Sequence, residues 1–150
     1  DIVAFASFMR MLDQPTPAPE TPSIANGRIL FGQVGCALCH TPSFTTGLSS
    51  MAALTNKKVN LYSDLALHKM GVGLADGVAQ GNAAGNEFRT APLWGVGQRL
   101  FFMHDGRTSD LMQAILAHAS NGSEANSTIR MFNSLQQEQK QDLLNFLRSL

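Results

Sequence analysis

The sequence predicts an all-α domain of several short helices joined by long irregular loops. Three observations predict it. Apolar residues recur at helical spacing near both ends of the chain and around position 115. Residues 41–107 are punctuated by Gly71, Gly73, Gly77, Gly81, Gly85, Gly95, Gly97 and Gly106, which marks loops rather than regular elements. Finally, a Cys-x-x-Cys-His run sits where the second helix ends. A loop as long as 41–107 argues against a compact domain unless a large prosthetic group forms the core that it wraps.

Taken in order, Ile2, Phe5, Met9 and Leu12 share one helical face within residues 1–14, and Asp1 supplies an acidic start. Prolines 15, 17, 19 and 22 exclude helix from the linker at 15–22. Ser23 is the expected cap of a second helix over about 24–34, which leads through Gly35 into the cysteines. Helix returns near Ser109, with Leu111, Ala114, Ile115 and His118 on one face. A short helix is expected within 124–132, and Ser134 with Gln137 reads as the capping box of a last helix carrying Leu143, Leu144 and Leu147. The opening Asp-Ile-Val-Ala-Phe-Ala-Ser-Phe-Met-Arg echoes the closing Asp-Leu-Leu-Asn-Phe-Leu-Arg-Ser-Leu. That echo suggests three parts: residues 1–14 as the tail of a preceding domain, 15–22 as linker, and 23–150 as a single domain.

Composition narrows the function. The chain has 150 residues, 44% of them hydrophobic, and a formal net charge of zero. It lacks the basic stripe of a nucleic-acid binder, and Lys57-Lys58 is its only adjacent basic pair. No apolar run is long enough to span a bilayer. A chain opening on Asp1 is either processed or excised, and a removed signal peptide leaves no trace in it.

The two cysteines are three positions apart, too close to close a useful disulfide loop. Cys36-Ala37-Leu38-Cys39-His40 is the attachment pattern of haem c. On one turn, two thiols reach the two vinyl groups of a porphyrin, and the next residue sets an imidazole under the iron. A thioredoxin-like site would need a strand–helix context. A zinc site would need a second Cys/His pair. Neither is present. The expectation is one covalently bound haem c with iron, held by Cys36, Cys39 and axial His40. Because such haem is attached outside the bacterial cytoplasm, a periplasmic or extracellular location is expected.

The second axial position could be filled by His68, Met70, Met103, His104, Met112 or His118. By analogy with small single-haem cytochromes, a downstream Met, such as Met70 or Met103, is favoured. His68 and His104 read as structural hydrogen-bonding residues, with Asp105 available to His104. Arg89, Arg99 and Arg107 are candidates for pairing with haem propionates. Trp94, Phe31 and Phe44 read as haem-pocket aromatics.

Several motifs together carry a resemblance. Phe88-Arg89-Thr90-Ala91-Pro92-Leu93-Trp94-Gly95-Val96-Gly97, then Phe102-Met103-His104-Asp105-Gly106-Arg107, resemble the di-haem cytochrome c peroxidase superfamily. Tyr62-Ser63-Asp64-Leu65-Ala66-Leu67-His68-Lys69-Met70-Gly71 and Leu74-Ala75-Asp76-Gly77 are similar to its di-haem thiol-oxidoreductase-like branch, and the likeness runs from about residue 27 to 150. The resemblance implies a cytochrome c-like haem domain matching the superfamily's C-terminal, electron-transfer domain. It also implies a distal ligand on the helix after His-Asp-Gly, which falls on His118 and leaves Met70 as the alternative. Arg89 becomes the best-placed arginine, since it lies inside the motif.

Two functions follow as expectations. One is electron transfer through a low-spin, bis-His haem, with a redox protein or a second haem domain as partner. The other is a part in a di-haem peroxidase or thiol oxidoreductase whose catalytic haem domain lies outside this chain. A homo-oligomer that brings haems together is a weaker third option. Neither nucleic acid nor a membrane span is expected.

Overall fold

A computed structural model describes residues 1–150. Its α-helices are α1 (Ile2–Met11), α2 (Pro22–Gln33), α3 (Leu111–Leu116), α4 (Asn126–Ser134) and α5 (Gln137–Ser149). Three single 3-10 turns lie at Cys36–Leu38, Ala52–Leu54 and Val96–Gln98. The loop region also pairs with itself. Strand β1 (Phe44–Thr45) runs antiparallel to β2 (Lys58–Val59), and β3 (Leu67–Lys69) to β4 (Glu87–Arg89). The register sets Phe44 opposite Val59, and His68 opposite Phe88.

The all-α expectation is therefore corrected to a mixed α and β fold. The reason is backbone accounting: amide and carbonyl groups in a long non-helical stretch need partners, and short ladders supply them. Strands of two or three residues are too short to print an alternating pattern on the sequence.

The core lies between α2 and α5. Ile24, Leu30, Phe31 and Val34 pack with Leu143, Leu144, Phe146 and Leu147, joined by Phe132 of α4 and Val96. The helices touch because position 27 is glycine, where any Cβ would run into the Asp142 carbonyl oxygen and Phe146. Across the same contact, the Ser23 hydroxyl donates to Asp142 at 2.5 Å.

The helix ends differ from expectation by one to a few residues. Thr21, not Ser23, caps α2 by accepting the Ile24 amide at 3.3 Å. Pro22 occupies the first helical position, and its fixed φ sets the cap one residue before it. The capping box of α5 is Gln136 with Gln139, while Ser134 closes α4 and bonds the Met131 carbonyl at 2.7 Å. Helix α3 stops at Leu116, so His118 lies in the turn beyond it.

Helix α1 forms as expected but buries none of its residues. The proline-rich segment after it is tied to the body. The Ala18 amide donates to the Ser149 carbonyl at 2.8 Å, and the Asn60 amide to the Gln14 side chain at 2.8 Å. No helix is long and apolar enough to cross a membrane.

Candidate haem site

The site is built on the turn that follows α2. Gly35 takes a left-handed φ of 98° and turns the chain into the Cys36–Leu38 3-10 turn, a conformation that favours glycine. The His40 amide then bonds the Cys36 carbonyl at 2.9 Å. Both cysteines are free thiols. Burial pushes the Cys36 thiol up to about 12. Burial also raises Cys39, helped by the nearby carboxylates of Asp64 and Glu124. Neither thiol is the exposed, acidified kind that marks a redox-active cysteine pair.

Two imidazoles meet at this turn: His40, next to Cys39 in the chain, and His118, whose ring stands against that of His40. His40 donates from Nδ1 to the Tyr62 carbonyl at 2.9 Å. His118 donates from Nδ1 to the Ala114 carbonyl at 2.8 Å. A carbonyl can only accept, so each ring carries its proton on Nδ1 and keeps the Nε2 lone pair free. Such a bond fixes both the tautomer and the orientation of a metal-binding histidine. Burial is the main cause that lowers both histidines, His40 to about 4, so both rings are neutral near pH 7.

The ring centres of His40 and His118 lie 6.5 Å apart, with planes at 61°. That spacing can be compared with what one metal between two imidazoles requires. Two metal–nitrogen bonds of about 2.0–2.1 Å, with each ring centre roughly 1.1 Å further out, place the centres about 6.3 Å apart. The ring spacing and the donor set, two neutral imidazoles and two free thiols, fit a haem. No group of three or more His, Cys, Asp and Glu side chains is arranged for a bare metal ion.

The other candidates fall elsewhere. Met70 ends the β3 segment and bridges to Ser123 through its backbone, with its carbonyl accepting from Ser120 Oγ at 3.0 Å. Met103 sits at a turn with φ 71°. Met112 packs against the hydrophobic core. His104 stacks on Phe88, with ring centres 4.3 Å apart, and stands 3.8 Å from Asp76. Asp105 is committed to Arg107 at 2.6 Å rather than to His104. Arg107 also donates to the Gly73 carbonyl at 2.6 Å, and Arg99 to the Pro92 carbonyl at 3.1 Å. Arg89 is exposed on β4.

Among the aromatics, Phe31 is buried, 6.4 Å from the His40 ring and edge-on to Tyr62 and Phe146. Phe44 is instead largely exposed on β1. Trp94 lines a cavity of about 380 Å³ with Pro15, Pro17, Arg28, Pro42 and Tyr62. The carbonyls of Tyr62 and Ala114 were not foreseen. Backbone groups carry no sequence signal, although Ala114 lies four residues before His118 and so one helical turn away.

Comparison with known proteins agrees with this chemistry. The family model for "Di-haem oxidoreductase, putative peroxidase" matches residues 1–150. Among solved structures, a xenon-pressurised hydrazine synthase from Kuenenia stuttgartiensis matches with a TM-score of 0.62 at 20% identity. The match covers 98% of this chain and 54% of that one, so this chain spans about half the length of that neighbour. At that identity the likeness is one of fold. Among curated proteins, none matches. The family match covers the whole chain, in keeping with its motifs, and the chain belongs to the di-haem oxidoreductase, putative peroxidase family.

Proposed function

We propose that this chain is an electron-transfer unit of a di-haem oxidoreductase, carrying one haem c bound through Cys36 and Cys39 with His40 and His118 as axial ligands. One observation supports it above all. Two neutral imidazoles, each anchored through Nδ1, stand 6.5 Å apart, and one of them directly follows Cys39 in the Cys-x-x-Cys-His run. When bound, haem supplies a one-electron couple, and filling both axial positions suits electron transfer rather than substrate binding. The protein's part is to hold both rings in one tautomer and to keep them dry. Phe31, at 3% exposure, closes the proximal side. Histidine at both positions, in place of the Met/His pair that raises potentials, favours a low-potential centre.

The family is named for two haems, whereas this sequence holds one Cys-x-x-Cys-His. The partner in this reading is a second haem domain, or a separate redox protein, that exchanges electrons with this haem. Residues 23–150 form the haem domain and 15–22 the linker. Residues 1–14, whose helix buries nothing, belong with the partner domain. Attachment of haem c places the protein outside the cytoplasm. The family's putative peroxidase chemistry is the alternative reading, and it needs an axial position open to peroxide.

An optical and near-infrared spectrum of the oxidised and reduced haem protein separates these readings. A low-spin spectrum without a methionine–iron charge-transfer band is expected, and His118→Ala should turn it high-spin. A methionine band would move the distal ligand to Met70 or Met103. A high-spin wild-type spectrum would overturn the electron-transfer reading in favour of peroxide chemistry.

A further inference from the structure

The Tyr62–Gly71 motif contains a side-chain cluster that the proposed ligand set leaves unexplained. His68, on β3, is paired at both ring nitrogens. Nε2 lies 2.8 Å from Asp64 Oδ2, and Nδ1 lies 2.8 Å from Glu124 Oε2. Carboxylates accept and do not donate, so a ring serving both of them carries two protons and is a cation. Hydrogen bonds between charged partners are about twice as strong as neutral ones. The His68 side chain is only 19% exposed, which limits competition from water.

What makes the cluster informative is where its two ends lead. On one side, the Asp64 amide donates to the Cys39 carbonyl at 2.8 Å, and His68 Nδ1 is 3.7 Å from Cys39 Sγ. On the other side, Glu124 is stitched to β3 in both directions. The Lys69 amide donates to Glu124 Oε1 at 3.0 Å, and the Glu124 amide to the Lys69 carbonyl at 2.9 Å. Beside Glu124, Ser123 Oγ donates to the carbonyl of His118 at 2.6 Å. Gly71 extends the same seam: at its left-handed φ of 70°, a Cβ would strike Ser120 Oγ and the Asn121 carbonyl. Hydrogen bonds, joined through the Ser123–Glu124 peptide, therefore link the Cys36–His40 turn to the residue proposed as distal ligand.

We infer that Asp64, His68 and Glu124 form a clamp that positions the distal-ligand loop over the haem, with His68 as a positioning residue that keeps His118 on the iron. The inference rests on the His40/His118 reading above. His68 touches neither iron nor substrate. It acts by holding the 118–124 loop to β3, and β3 to the Cys39 turn. The loop needs such a tie because His118 lies beyond the end of α3, where no continuing helix fixes it.

The test uses the haem-loaded protein and carbon monoxide, which binds ferrous haem only after the distal ligand leaves. The rate of carbon monoxide binding at saturating gas then reports release of His118. For His68→Gln this rate should rise roughly tenfold or more, the factor expected from losing a hydrogen bond to a charged group. The ferric spectrum should gain a high-spin component. Glu124→Gln, at the half-exposed end of the clamp, should act in the same direction. It also provides the measurement if His68→Gln does not accumulate. A lower melting temperature with unchanged carbon monoxide rate and spectrum would overturn the clamp and leave His68 an ordinary structural residue. Failure of the ligand reading looks different. There, wild type would bind carbon monoxide as fast as His118→Ala does, and the proposal would fall with it.

Discussion

Phe146→Ala tests whether the aromatic cluster behind His40 does more than fill space. Phe146 is 0% exposed and stands edge-on to Phe31 and Tyr62, with ring centres 5.4 and 5.7 Å away. Truncating a fully buried Phe costs about 3–5 kcal/mol, of which each lost aromatic pair accounts for roughly 0.5–1.5. For a chain of this size, that corresponds to a melting temperature lower by about 6–20 °C. Tyr62 loses an edge contact in the variant, and its carbonyl is the group that orients His40. Loosening should therefore reach the haem, as a fraction of high-spin ferric iron appearing well below the melting transition. Denaturant unfolding of the haem protein, followed by far-ultraviolet dichroism and by haem absorbance, reads both effects. Phe146→Leu, which keeps much of the apolar volume but loses both edge contacts, should cost less than the alanine variant, about 1–3 kcal/mol. A loss under about 1 kcal/mol in the alanine variant itself would refute the reasoning. It would mean that covalent haem, rather than the α2–α5 core, holds the fold.

Other expectations are more local. Gly27→Ala should destabilise by about 1–3 kcal/mol, because a Cβ there meets the Asp142 carbonyl and neither backbone can yield cheaply; differential scanning calorimetry reads it. Thr21→Ala should cost about 1 kcal/mol through loss of the α2 cap, and Ser23→Ala should leave the helix start intact. In the protein lacking haem, burial lowers His40 from 6.5 to about 4 and depresses His118 as well. The His40 contribution is present above pH 6.5 and is lost as pH falls through about 4, since the unfolded chain takes up protons first, and His118 acts in the same direction. Haem loading should carry this slope on to lower pH, because iron on Nε2 would keep the native rings unprotonated while unfolded rings still take up protons. Urea midpoints between pH 4 and 8, with and without haem, check the sign.

The helices were legible in the sequence because each has a local code, and the Cys-x-x-Cys-His run is likewise a local pattern. Cys36, Cys39 and His40 are read from spacing. Helix α5 is read from Leu143, Leu144 and Leu147 at helical intervals, and α2 from its length between Pro22 and Gly35. The strand pairs were not legible. Lys69 and Glu87 pair across seventeen intervening residues, and neither strand is long enough to show a period. The exact caps moved because a helix start is decided between neighbours. Thr21 and Ser23 are both good caps, and Pro22 between them settles the choice. The clamp at His68 was half visible: His68 read as a structural hydrogen-bonding residue, but Glu124 comes from fifty-six positions away. No local pattern links the two.

The irregularity of the loops has a use of its own. A regular helix engages its carbonyls with amides four residues on, and so has none to spare for a side chain. At the end of α3, the His118 amide turns instead to the Ile115 carbonyl at 3.2 Å, in a 3-10 step. That leaves the Ala114 carbonyl to accept the imidazole Nδ1–H at 2.8 Å. At the other ring, Tyr62 takes a left-handed φ of 52° in a segment outside any helix or strand, and its carbonyl meets His40. Both histidines are thus oriented by carbonyls freed from regular structure, which is the supply that helix ends and loops hold in surplus. Extending α3 through His118 with helix-favouring residues at Ser120 and Asn121 would reclaim the Ala114 carbonyl for the helix. A low-spin site that weakens while helix content rises is the expected signature of that trade.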